Sequence, residues 1–205
     1  MSTIGAQAHL VGIFNPQHYD AAEFDEPTRR VLLATIAWFE AKGKQALTSE
    51  SLTEEWYADF DLKVHAAVRL IRLALPGLRA AGGGSIVNVL NTGAKTPPAR
   101  SLPTTASRAA GLAITKALSK ELGPEQIRVN AIMIGLIESG QWRRLAISRG
   151  VSLDELYREM SAATPLGRVG TGAEFADLAS FLLSARAAFI TGTAINLDGG
   201  SASAS

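Results

Sequence analysis

Few side chains in this sequence have the chemistry to move a proton or attack a carbonyl near neutral pH. Cysteine is absent, so thiolate chemistry and disulfides are excluded. The three histidines, His9, His18 and His65, are scattered singly and read as surface or core residues rather than ligands. A phenol titrates near 10 and becomes a useful acid only beside a cation, for example a lysine one helical turn on. None of Tyr19, Tyr57 and Tyr157 has a lysine four residues later. Arg143-Arg144 beside Trp142 would suit a phosphate-bearing substrate such as a coenzyme A ester, but a solvated face explains them as well. The stretch of most interest is Thr104-Thr105-Ala106-Ser107-Arg108, a row of hydroxyls ending in a cation. Thr104 and Arg108 lie one turn apart if this stretch is helical. An alkyl alcohol is a far weaker acid than a phenol, and a guanidinium keeps its charge but does not titrate.

The surrounding pattern places that stretch at the start of a helix between two strands. Ser85–Leu90 (SIVNVL) is a near-continuous apolar run, as expected of a strand buried on both faces. A helix is predicted from about Ser107 to Leu122, stopped by Gly123-Pro124, and IRVNAIMI is the next strand. Upstream, AHLVGIF (Ala8–Phe14) reads as a short strand. A helix is predicted from the Asp25/Pro27 start to Gly43, and a second from Thr53-Glu54-Glu55-Trp56 through Val64, Val68, Ile71 and Leu75. Pro76 should kink that second helix or end its regular part, and Gly82–Gly84 should stop it. Downstream, helices are expected around Leu153–Ser161 and after Thr171, the latter with Phe175, Leu178, Ala179 and Leu182 inward; GTAINLDGG holds a last strand. Alternating strands and helices predict a single α/β domain, a three-layer, doubly wound parallel sheet.

Composition agrees with that class. The chain has 205 residues, is 47% hydrophobic and 19% charged, and carries a net charge of +1. That charge gives no field to steer nucleic acid or an anionic membrane. No apolar run is long enough to span a bilayer, no signal peptide is evident, and a cytoplasmic location is expected. The tail Ser201–Ser205 is small and polar.

From Trp56 to Gly200 the sequence resembles the short-chain dehydrogenases/reductases. The resemblance rests on GGGSIVNV, ASRAA, TKALSKELGPEQIRVNAI, TPLGRVGTGAEFADLASFLLS and ITGTAINLDGG, five motifs in family order. It implies a Rossmann-like fold, with a family-like core over 53–200, a divergent and shortened N-terminal part over 1–52, and a tail over 201–205. It also implies that the residues of the family's chemistry have changed. The catalytic tyrosine and lysine positions read Thr104 and Arg108, the serine position reads Asn91, and the assisting asparagine is matched to Asp61. Gly5 and Gly12 are isolated, so the glycine-rich turn that holds a pyrophosphate is not seen. Part of the nucleotide-binding half is expected to be missing. Gly167-Arg168-Val169-Gly170 follows Pro165 rather than a strand and is no substitute; Ser139 stands where the family often uses threonine on the nicotinamide amide.

The expectation is therefore a chain with no catalytic, cofactor or metal site of its own. It would assemble with a homologous, NAD-dependent catalytic subunit in a heterotetramer that oxidises a hydroxyacyl substrate such as a coenzyme A ester. The alternative is a cofactor-free lyase, isomerase or dehalogenase-like enzyme using the residual cleft, with Asp61 as base.

Overall fold

A computed structural model of the protein describes residues 9–11 and 53–203. The predicted helix up to Gly43 and the connector after it lie outside the described residues, as do most of the predicted first strand and the last two residues of the tail. Four strands form one parallel sheet in sequential order: β1 (His9–Val11), β2 (Gly84–Asn91), β3 (Ile127–Ile134) and β4 (Ala194–Leu197). The register pairs Val11 with Val87, Val87 with Asn130, and Ile132 with Ile195.

Side chains alternate across a strand, so each apolar strand presents two faces that must both be covered. On one face, Ile86, Ile127 and Val129 pack against Ile71 and Leu78 of helix α2 (Ala66–Ala80). Leu118 of α3 (Thr104–Glu121) and Leu122 just beyond it complete that cluster. On the other face, Val87 and Ile132 meet Ala179 and Leu182 of α6 (Gly172–Leu183), with Phe175 and Leu178 alongside. These are the four inward residues anticipated after Thr171. Each fully buried Leu or Ile contributes about 1.5–3 kcal/mol of transfer free energy, which is what holds the three layers together.

Several polar groups in the core are paired across elements. Asn88 Nδ2 donates to Thr115 Oγ1 (2.9 Å), tying β2 to α3. Asn130 Nδ2 donates to the Ile190 carbonyl (2.8 Å). Arg128 donates to the carbonyls of Leu182 (2.8 Å) and Ser184 (3.1 Å), satisfying orphan acceptors at the end of α6.

The helix that begins at Thr53 is broken in an unexpected way. Helix α1 (Thr53–Phe60) passes into a π-helical turn over Asp61–His65 and then into α2. Pro76 is accommodated within α2, which continues to Ala80. There Gly82 takes φ +76°, and its N–H and that of Gly83 bond to the carbonyls of Arg79 and Leu78, a Schellman end. Helix α3 begins at Thr104, three residues before the predicted start. Between β3 and α6 lie α4 (Gly140–Arg149), which the polar sequence did not suggest, and α5 (Leu153–Ser161).

Candidate functional site

The strand β2, the π-helical turn and the start of α3 converge on one cluster. Asp59, on the last turn of α1, is 3% exposed. Its carboxylate accepts from Lys63 Nζ, from Thr104 Oγ1 (3.2 Å) and from Ser107 Oγ (2.6 Å). Lys63 Nζ also donates to Thr104 Oγ1 at 2.8 Å. Arg108 is buried beside them and donates from Nη1 to the Val89 carbonyl of β2 at 3.1 Å. A carboxylate between two cations thus links α1, the π turn and α3.

Electrostatics follow from burial. Desolvation, and then the charge of Arg108, push Lys63 down from 10.5 to about 8, while the ion pair with Asp59 works the other way. Burial also pushes the Arg108 guanidinium below its ordinary value, opposed by Asp59. An arginine holds its proton throughout the accessible pH range, so Arg108 acts here as a fixed charge.

Of the positions implied by the resemblance, Thr104 and Arg108 do lie together. Asp61 does not join them. Its side chain is 61% exposed and pairs with Arg69 and with His65 Nδ1 (3.3 Å) on the solvent side of the π turn. Lys63, two residues on from Asp61, turns inward to Asp59 instead. Asn91 closes β2, where its buried Oδ1 has no hydrogen-bond partner among the described residues. Ser107 belongs to the hydroxyl row noted in the sequence, whereas Asp59 and Lys63 do not stand out there. The signal available was the Asp59/Lys63 spacing of four, which puts opposite charges on one helical face.

The other candidates take structural places. His65 is exposed. Trp142 Nε1 donates to the Ile137 carbonyl (2.8 Å), and Arg143 and Arg144 are exposed on α4. In the Gly167–Gly170 segment, Arg168 pairs with Glu174, whose carboxylate also accepts from the Thr171 N–H (2.8 Å) in a capping box at the start of α6. That carboxylate fills the helix N-terminus with negative charge, the reverse of a pyrophosphate site. Ser139 precedes α4, and its buried hydroxyl has no partner among the described residues.

A nicotinamide dinucleotide, the cofactor the resemblance implies, needs a glycine-rich strand–turn–helix and a proton donor near the transferred hydride. Among the described residues no glycine-rich turn follows a strand into a helix. The hydroxyl at Thr104 is held by Lys63 and Asp59 and lacks the acidity of a phenol. The described residues therefore do not fit the cofactor, and no hydride step is derived through it.

Comparison with known proteins places these features in one family. A family model described as enoyl-(acyl carrier protein) reductase matches residues 21–202. The chain is 33% identical over 160 residues to a 3-oxoacyl-[acyl-carrier-protein] reductase FabG of Chlamydia muridarum, covering 78% of this chain and 61% of that protein. It is 33% identical over 153 residues to the human dehydrogenase/reductase SDR family member 4, covering 74% and 53%. The chain thus spans between half and two thirds of the length of these relatives. Among solved structures, an NADPH-bound short chain oxidoreductase of Pseudomonas aeruginosa PAO1 with an atypical catalytic center superposes with a TM-score of 0.73 at 29% identity, covering 84% of this chain and 73% of that one. A structure named as a dehalogenation enzyme gives 0.70 at 30% identity, covering 78% and 65%. With its sheet, its helix order and most of its length matched, the chain belongs to the short-chain dehydrogenase/reductase family.

Proposed function

We propose that this chain is a non-catalytic subunit of a heteromeric short-chain dehydrogenase. It assembles with and stabilises a homologous NAD-dependent partner that retains the tyrosine and lysine. One observation carries the reading. The groups at the tyrosine and lysine positions are used inside the protein, Thr104 by Lys63 and Asp59, and Arg108 by the Val89 carbonyl. Bound in this way, the two positions do not supply the acidic phenol and titrating ammonium with which the family's catalytic members exchange a proton with substrate. The elements that would meet a partner are meanwhile intact. Helices α2 and α3 form one layer with Leu73 exposed, while α6 and β4 are joined by a loop bearing the fully exposed Phe189. Some relatives are named as reductases of a 3-oxoacyl group on acyl carrier protein, which supports a carrier-bound hydroxyacyl group, such as a hydroxyacyl coenzyme A ester, as the substrate class of the partner.

The test is co-expression with a family member that has the tyrosine–lysine pair. Co-elution as a mixed tetramer, with raised partner stability or activity, is the expected result. Elution of this chain as a monomer, with the partner unaffected, would overturn the reading. NADH or NADPH titrated into the isolated chain should leave nucleotide fluorescence unchanged.

A second reading, a cofactor-free enzyme, draws on the likeness to the dehalogenation enzyme and on Lys63 lying against Thr104. Its base would be Asp59 or Lys63 rather than the exposed Asp61. Turnover by the isolated chain that survives Asp61→Asn and is lost with Asp59→Asn is its signature.

A further inference from the structure

Lys63 combines three features in one place. Its Nζ lies 2.8 Å from the Thr104 hydroxyl and contacts the Asp59 carboxylate. The cation of Arg108 stands beside the same cluster, one helical turn beyond Thr104. The lysine side chain keeps 11% of its surface, so it is confined but not sealed. Thr104 is likewise only partly buried.

An amine condenses with a carbonyl when it is neutral, when a base can take its proton, and when a donor can protonate the departing oxygen. Desolvation and a neighbouring cation are the two devices that make a lysine amine nucleophilic near neutral pH. Both act on Lys63, whose pKa is lowered to about 8. Asp59 is placed to accept a proton from Nζ, and the Thr104 hydroxyl, bonded to both, is placed to pass one on.

We propose that Lys63 is a carbonyl-reactive amine that forms a Schiff base with a small aldehyde or ketone beside Thr104, with Asp59 as proton carrier. The lone pair of Nζ forms a bond to the carbonyl carbon while the C=O π pair moves to oxygen. A proton leaves nitrogen for Asp59 and reaches that oxygen by way of Thr104. The second nitrogen proton then follows the same route to the hydroxyl oxygen, the C–O bond breaks to release water, and the nitrogen electron pair closes the C=N bond. The step needs no oxidant or reductant, and water reverses it. It is independent of the assembly proposed above, since a mixed tetramer forms whether or not Lys63 reacts.

The experiment uses the full chain with acetaldehyde and sodium cyanoborohydride, which fixes any imine as a stable alkyl-lysine, followed by peptide mapping in a mass spectrometer. At pH 7, alkylation of Lys63 is expected to be at least about tenfold faster than that of the exposed Lys120, since a lower pKa raises the neutral fraction. The charged groups facing Lys63 are Asp59 of α1 and Arg108 of α3; Asp61 and His65 of its own turn face solvent. The Lys63 rate should level off above about pH 8. That of Nα-acetyl-lysine in the same tube should keep rising to about pH 10. A Lys63 rate at or below that of Lys120, or a pH profile parallel to the free amine, would overturn the proposal. Because both readings come from the unmodified folded chain, loss of folding in a variant cannot obscure the outcome.

Discussion

Asp59 holds Lys63, Thr104 and Ser107 at once, and its carboxylate is the counter-charge of two buried cations. Removing one partner of such a cluster leaves the other charges in a poorly solvated place, at a cost of about 3–5 kcal/mol. Asp59→Asn should therefore lower the urea midpoint severely. Asp61→Asn breaks pairs that are more than half exposed, and it should change stability by at most about 1 kcal/mol. A midpoint equally sensitive to the two changes would contradict the placement of these carboxylates. Lys63 adds a pH dependence with a definite sign. Between about pH 8 and 10.5 the unfolded chain keeps the lysine proton and the folded chain has released it. Stability from this group is then greatest above 10.5 and is lost as pH falls toward 8. The displacement corresponds to on the order of 3 kcal/mol. Lys63→Met should remove this rise, read as the difference between the two chains in denaturant unfolding at pH 7.5 and 10.

At the scale of elements, the ends of β3 and β4 meet at Gly135. A methyl added there would lie 2.6 Å from Asp198 Cβ and 2.8 Å from its Cα, and backbone cannot give way as a side-chain tip can. Gly135→Ala should cost about 1–3 kcal/mol by overpacking. Gly172→Ala, in the first turn of α6 with open space around it, should be neutral or stabilise by up to about 1 kcal/mol. Thermal unfolding of the two variants gives the comparison. The strands were the part of the sequence that could be read most directly, because IRVNAIMI is apolar on both faces and bounded by a glycine on one side and a turn on the other. Helix α4 was not legible, since Gly140–Arg149 has no apolar stripe and only Ala146 is buried. The candidate site was half legible. Thr104 and Arg108 sit four apart on a regular helix, so their shared face follows from spacing alone. Asp59, Asp61 and Lys63 straddle the passage from α1 into a π-helical turn, where matching by position along the chain points to Asp61 while the carboxylate that turns inward is Asp59. Such a turn depends on what α3 presents to it, which no local pattern records.

At the scale of the molecule, the four described strands run in sequential order, β1-β2-β3-β4. A dinucleotide in an open parallel sheet binds where the strand order reverses, outside the carboxyl ends of the strands. No reversal occurs among the described strands, and the helix N-terminus that follows Gly167 and Gly170 is occupied by the Glu174 carboxylate. If the protein works as a companion to a catalytic relative, nucleotide binding must then divide unevenly. A mixed assembly should bind as many NADH molecules as it has partner chains, and none for each copy of this chain. Isothermal titration on the purified complex, with subunit ratio fixed by mass spectrometry, counts the sites directly. A stoichiometry equal to the total number of chains would mean that this chain forms its own cradle, and the companion role would fall with it. A stoichiometry equal to the partner chains alone, together with loss of the partner's stability when this chain is withheld, is what a subunit retained for its packing surfaces requires.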